Sequence, residues 1–348
     1  MRGIVDDIIG TFAPPGVPVL LFLLFLLQGC TGEERSSAIT LGAQSSVQNA
    51  LVWVAKERGI FTQEGVEVEI KPYPSGKRAL EGMLHGEVEL AVMAETPLAI
   101  AAPAHPRLRI FATLGKSDNN ICVLARRDHG VEHPGDLRGK RIATQKGSAV
   151  HFFLSSFLLQ AGLRQEEVEI RYLKVEELAE AFARGEVDAI SMRDPVLERA
   201  ERMAGSGRSV RLCSPGLYTK AYNLVGWREF TLRHPGAMEK ILRALSRAAD
   251  LVREEPEAAL AVMERRLRIL PERLRQIWSA VTFRLTLNQA LLLSLQEELR
   301  WAASAGLLDP EVLQPGRLPD FLAMVETEPL QRVLPEAVGL IGVENRGP

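Results

Sequence analysis

The sequence predicts an α/β protein of two doubly wound lobes joined by a two-crossing hinge, with a helical C-terminal tail. Three observations carry this. Strand-like and helix-like segments alternate along the first two-thirds of the chain. One block of that alternation recurs about 100 residues later. From Pro235 to Gly306 the composition turns to Ala, Leu, Arg and Glu, punctuated by Pro256 and Pro271, with Pro310 beyond it.

The front of the chain stands apart. Val17 to Leu27 is almost wholly apolar but shorter than the roughly 20 residues a spanning helix needs, so it fits the apolar region of a signal peptide. Leu27-Gln28-Gly29-Cys30 follows and resembles the bacterial lipobox, whose cysteine is lipidated and becomes the mature N-terminus. Arg2 is offset by Asp6 and Asp7, so the leader lacks the usual positive start. The expectation is a leader over residues 1–29, lipidation at Cys30 and a polar tether over 30–37.

Ile39 to Ala43 reads as a short strand, and Ser45 or Ser46 can cap the helix Val47 to Arg58 that Gly59 closes. Val66, Val68 and Ile70 alternate with charged residues, the period of a strand. Ser75 or Gly76 opens a helix through Leu84, and Gly86 stops it. Strands follow at Val88–Met93, Leu108–Thr113 and Ile121–Ala125.

The repeat is the most informative feature. Residues 78–93 match residues 177–192, with Gly86-Glu87-Val88 meeting Gly185-Glu186-Val187. Upstream, Leu41-Gly42-Ala43-Gln44-Ser45-Ser46 pairs with Ile142-Ala143-Thr144-Gln145-Lys146-Gly147. Two pairings in one order at nearly one offset imply two similar lobes. The expected division places 38–125 and 216–335 in the first lobe, and 126–215 in the second. The chain would cross near Cys122–Arg127 and again near Cys213–Tyr222, leaving a hinge. Cys122 and Cys213 would then be neighbours. Export makes a disulfide possible there, and two small buried thiols are the plainer reading.

The ordered motifs resemble the substrate-binding proteins of ABC importers, in particular the nitrate/sulfonate/taurine type, to which thiamine-pyrimidine synthases are also similar. The residues are Ala55-Lys56-Glu57-Arg58-Gly59-Ile60-Phe61, Glu64-Gly65-Val66, Ser75-Gly76, Gly86-Glu87-Val88-Glu89-Leu90-Ala91, Glu95-Thr96-Pro97, Asp136 to Ile142, Gly147-Ser148, Gly185 to Ala189 and His234-Pro235. The resemblance covers about Ile39 to Leu322. It implies a type II periplasmic-binding fold, a small polar or anionic ligand, and permease and ATPase partners at a membrane. Where that family carries an aromatic closely followed by proline, this chain has Met192-Arg193-Asp194-Pro195.

In open α/β sheets ligands sit outside the carboxyl ends of the strands, where helix N-termini offer free N–H groups. Ser45, Ser46, Gly147 and Ser148 stand at such starts, one pair in each lobe, although serine also caps helices everywhere. Glu95, Thr96, Arg193 and Asp194 follow the two repeated strands at equivalent positions. Arg193 would bind an anionic group, and an acid from each lobe would hold a cationic part or orient the arginine. His151 lies one turn into the second helix and Tyr222 follows the second crossing, where it could stack on a ligand or pack at the hinge. These ten residues form the expected ligand site.

At 348 residues, 46% hydrophobic and 25% charged, the chain has an ordinary globular composition. A net charge of −2 argues against nucleic acid as a partner. Gly115-Lys116-Ser117 resembles the end of a P-loop, but Ile110 stands where its first glycine belongs. No metal-ligand spacing is present, so neither cofactor nor catalysis is expected. The preferred reading is a lipid-anchored, monomeric solute receptor serving an importer. A same-fold biosynthetic enzyme and a sensory ligand-binding subunit are the alternatives.

Overall fold

Parallel strands need crossover helices, and the chain supplies them twice in the same order. The computed structural model describes residues 38–309, 311 and 318–341; the expected leader, Cys30 and the tether lie outside them. From Ala38 onward the described residues form one compact unit.

β1 (Ile39–Gln44) lies between the parallel strands β2 (Val68–Tyr73) and β3 (Leu90–Met93). β4 (Leu108–Ser117) joins the same sheet, and the chain then crosses over residues 118–121 into β5 (Cys122–Arg126) of a second sheet. There β6 (Arg141–Thr144) lies between the parallel strands β7 (Glu169–Tyr172) and β8 (Ala189–Met192). β9 (Ser209–Cys213) completes that sheet at its edge. The chain returns over residues 214–219 to β10 (Lys220–Trp227), which runs antiparallel between β3 and β4. β11 (Val281–Asn288) and β12 (Val338–Gly339) extend the first sheet beyond β4.

The sequence repeat is therefore a repeat of structure. The orders β2-β1-β3-β10-β4 and β7-β6-β8-β5-β9 correspond strand for strand. In each lobe the strand next to the parallel trio is antiparallel and joins a crossing segment. The matched glycines close their helices alike. Gly86 and Gly185 stand at φ 79° and 71°, a left-handed conformation that costs glycine little. Gly86 and Glu87 donate to the carbonyls of Met83 and Gly82; Gly185 and Glu186 donate to those of Phe182 and Ala181. Each sheet has its own apolar core, one built around Leu41, Leu90, Phe111 and Leu224, the other around Val123, Ile142, Leu178 and Ile190.

Three expectations are corrected. Strand Cys122–Arg126, counted within 38–125 of the first lobe, pairs with β8 and β9 in the second sheet, so the first crossing comes earlier than expected. Only pairing partners, which a single strand's sequence does not reveal, assign it. The C-terminal part is not helical throughout: Val281 to Asn288 is a strand paired with β4, as its alternation of β-branched and apolar residues with others allows. The helix after β1 opens as a 3-10 turn, Val47–Asn49, and Ser46 at its start makes no side-chain cap bond. Among the described residues, no helix is long and apolar enough to cross a membrane.

β5 and β9 place Cys122 directly opposite Cys213, with Cα atoms 4.5 Å apart, and the two form a disulfide rather than two buried thiols. The bond closes a loop spanning 91 residues and containing most of the second lobe. Cross-links over long loops stabilise mainly by restricting the unfolded chain, typically by about 2–4 kcal/mol. Reduction, or the Cys122→Ser/Cys213→Ser double variant, is expected to lower the thermal midpoint by several degrees. Calorimetry with and without reductant checks this.

Candidate functional site

The carboxyl ends of β1, β3, β6 and β8 face one another across the gap between lobes. A cavity of about 30 Å³, room for about two water-sized groups, lies there. The first lobe lines it with Gln44, Asn49, Ser75, Gly76, Lys77, Met93, Ala94 and Pro97 among others. The second lobe contributes Gln145, Ser148, Ala149 and Arg193, and the returning strand β10 contributes Lys220 and Tyr222. Lys77 and Gln145 also line a wider cleft of about 660 Å³ bordered by Glu81, Lys146, Tyr172 and Lys174.

Two helices start at the cavity. Ser75 caps Gly76–Leu84, its hydroxyl accepting from the Arg78 N–H at 3.2 Å. Ser148 precedes Ala149–Gln160 and donates its hydroxyl to the Gln145 carbonyl at 2.7 Å. Helix N-termini of this length favour negative charge.

Arg193 is the dominant electrostatic feature. It is 7% exposed, and its Nη2 donates across the gap to Gln44 Oε1. Among the described residues its Nε is buried without a hydrogen-bond partner, and no ion pair to a carboxylate is formed. Burial lowers its pKa accordingly. The adjacent acid does not help. Asp194 accepts from Arg211 at 2.9 and 3.0 Å and from Arg273 Nε at 2.7 Å. Burial pushes the Asp194 carboxyl up, but these guanidiniums outweigh it and hold the carboxyl below its usual range.

Lys220 is 2% exposed, with Nζ 4.8 Å from the centre of the Tyr222 ring. Burial, and then repulsion by Arg193, drive its pKa well down; Glu95 and Glu298 act against this. Tyr222 accepts a 2.6 Å hydrogen bond from Asn120 in the first crossing.

Of the ten expected residues, Ser148, Arg193 and Tyr222 line the cavity. Ser45 and Ser46 do not, because the tighter 3-10 turn after β1 brings Asn49 to the cavity instead. Glu95 and Thr96 are buried one layer behind it, with Glu95 Oε1 accepting from the Ala221 N–H at 2.9 Å. Gly147 borders the gap near Ile100 and Lys77 without lining the cavity. His151 is fully buried against Tyr172 and Trp301, and burial depresses its pKa to about 4, so it packs as a neutral ring. Asp194 belongs to the arginine network described above. Gln44, Asn49, Ser75, Gln145 and Lys220 were not anticipated. For Gln44 and Gln145 the signal was there, since the repeat aligns them with each other.

The lobes are closed on one another. Gln145 Nε2 donates to Ser75 Oγ at 2.9 Å, Lys77 Nζ to the Lys146 carbonyl at 2.9 Å, and Arg273 bridges to Asp194.

Fold and cavity together define a two-lobed solute-binding protein of the type II periplasmic-binding class. The chain belongs to the family described as NMT1/THI5 like, whose model matches residues 46–259. It is 29% identical over 257 residues to a putative aliphatic sulfonates-binding protein of Bacillus subtilis, covering 70% of this chain and 76% of that one. It is 27% identical over 181 residues to the taurine-binding periplasmic protein of Escherichia coli, covering 52% and 55%. Among solved structures, the alkanesulfonate-binding protein of Xanthomonas axonopodis pv. citri bound to MOPS aligns with a TM-score of 0.70 at 20% identity, over 84% of this chain and 98% of that one. The nitrate-binding protein of Synechocystis aligns at 0.68 and 12% identity, over 85% and 88%. These relatives are named for what they bind and not for a reaction, which supports a solute-binding role and not an enzymatic one.

Arg273→Ala removes one interlobe ion pair and leaves Asp194 its Arg211 partner. A charge-assisted bond of this kind contributes about 1.5–3 kcal/mol. Small-angle scattering of the ligand-free variant is expected to give a larger radius of gyration than that of the wild type.

Proposed function

We propose that this chain is an exported receptor that captures a small organic sulfonate, or another small monoanion such as nitrate, between its lobes and delivers it to an ABC importer. The observation that carries the reading is Arg193, a guanidinium buried at the lobe interface whose Nε has no hydrogen-bond partner and which no acid pairs with among the described residues. A buried charge is costly unless paired, so an anionic ligand supplies the missing partner. A sulfonate stays ionised throughout the physiological range. Its three oxygens match Arg193, Lys220 and the helix starts at Gly76 and Ala149. The relatives' names point to the same class.

In this reading the first lobe is 38–117 with 220–309 and 318–341, the second is 122–213, and the two crossings are the hinge. A 30 Å³ cavity is too small to admit a sulfonate from solution, so the lobes open for entry and close on the ligand. The Cys122–Cys213 disulfide favours an oxidising compartment, in keeping with export. Lipidation at Cys30 would hold the receptor near its importer and raise its effective concentration there.

Arg193→Met is expected to weaken methanesulfonate or taurine binding from roughly tenfold to over a hundredfold in calorimetry. Its ligand-free thermal midpoint is expected to stay level or rise, because an unbalanced buried charge has been removed. Wild-type affinity in this variant would remove Arg193 from the site. The anchor is checked separately: mass spectrometry of the exported protein is expected to show a chain beginning at lipid-modified Cys30, and an intact Met1 contradicts it.

A further inference from the structure

Behind the cavity lies a layer of ionisable groups that the anion-binding reading does not use. Glu95 is 1% exposed, at the start of the helix Glu95–Ala101. Its Oε1 is held by the Ala221 N–H, next to Lys220, while its Oε2 is buried with no partner. The groups acting on it come from every neighbouring element. Lys220 on β10 and Lys116 on β4 attract it, and Glu298 on the helix Gln289–Ser304 repels it. Tyr218 and Tyr222 also feel its charge. Glu298 Oε1 accepts from the Tyr218 hydroxyl at 3.1 Å, and burial, followed by Glu95, holds Glu298 strongly toward its neutral form.

We propose, on the basis of the anion-receptor reading, that Glu95 sets the cavity's charge so that it accepts monoanions and rejects dianions of the same head-group shape. Two basic side chains, Arg193 and Lys220, border the cavity. With burial holding Glu298 toward its neutral form, Glu95 is the acid that lowers the positive charge at the cavity without touching the ligand. Each unit of charge removed from the surroundings weakens a dianion twice as much as a monoanion. Glu95 thus acts through the field at Lys220 as a positioning residue, and discrimination comes from charge count where shape cannot supply it. Methanesulfonate and sulfate share a tetrahedral head and differ by one charge.

Burial pushes the Glu95 carboxyl up to about 7, so its charge is present at pH 8.5 and mostly absent at pH 6. Sulfate and methanesulfonate keep constant charges across that range, so any pH effect on their relative affinity belongs to the protein.

The test is calorimetric titration of the full chain with methanesulfonate and with sulfate. At pH 8.5, Glu95→Gln is expected to lower the ratio of methanesulfonate to sulfate affinity about tenfold. The wild-type ratio is expected to fall toward that of the variant as pH drops from 8.5 to 6. A Glu95→Gln ratio equal to the wild-type ratio at pH 8.5 overturns the proposal; general loosening would weaken both ligands alike and leave the ratio in place. Should the variant fail to fold, the wild-type pH series decides, and a constant ratio overturns the proposal. If the wild type binds no methanesulfonate, the receptor reading falls and this inference with it.

Discussion

The exchange of strands at the two crossings is the constraint on which the rest of the structure depends. β5 leaves the first lobe to pair beside β8, and β10 returns to pair beside β3. Each parallel trio is thereby flanked by a strand that the chain could reach only by crossing. The exchange sets Cys122 opposite Cys213 and so staples the second lobe at its base. It also carries Lys220 and Tyr222 to the carboxyl ends of the first lobe's strands, where the cavity forms. Tyr218, just before β10, reaches Glu298 from the same segment.

Around the cavity, charge is sorted. Asp194 is saturated by two arginines of its own network, and Glu201 shares one of them. Arg193, one residue earlier, has a glutamine carbonyl instead of an acid. A buried ion without its counter-ion is costly and persists only where the surrounding fold imposes it. Here that cost sits at the lobe interface, so lobe closure and anion capture draw on the same group. Of four polar contacts across the gap, only Gln145 to Ser75 is neutral on both sides; Lys77, Arg193 and Arg273 are the charged donors of the others.

The fold was largely legible because its signals are local. Alternation marked β2, glycines after Leu84 and Ala183 marked helix ends, and the repeat announced two like lobes. β11 is not marked out, because helix-forming composition on both sides of Val281 to Asn288 outweighs eight alternating residues. The site was only partly legible. The repeat points to loops that line the cavity, and Arg193 and Ser148 are among the lining residues. Gln44 and Gln145, an aligned pair in the repeat, reach across the gap, whereas Ser45 and Ser46 carry the commoner helix-start pattern without lining the cavity.

By itself the sequence determined two α/β lobes, their order, and the loops that meet at the strand ends, since hydrophobic period and turn chemistry act over a few residues. Only the tertiary structure decided which strands cross between sheets, that Cys122 bonds Cys213, that Lys220 enters the cavity and that Glu95 stands behind it. Those outcomes depend on pairing between segments about a hundred residues apart and on which buried charges are left facing one another. Both are set when the sheets assemble, and neither leaves a mark on neighbouring residues.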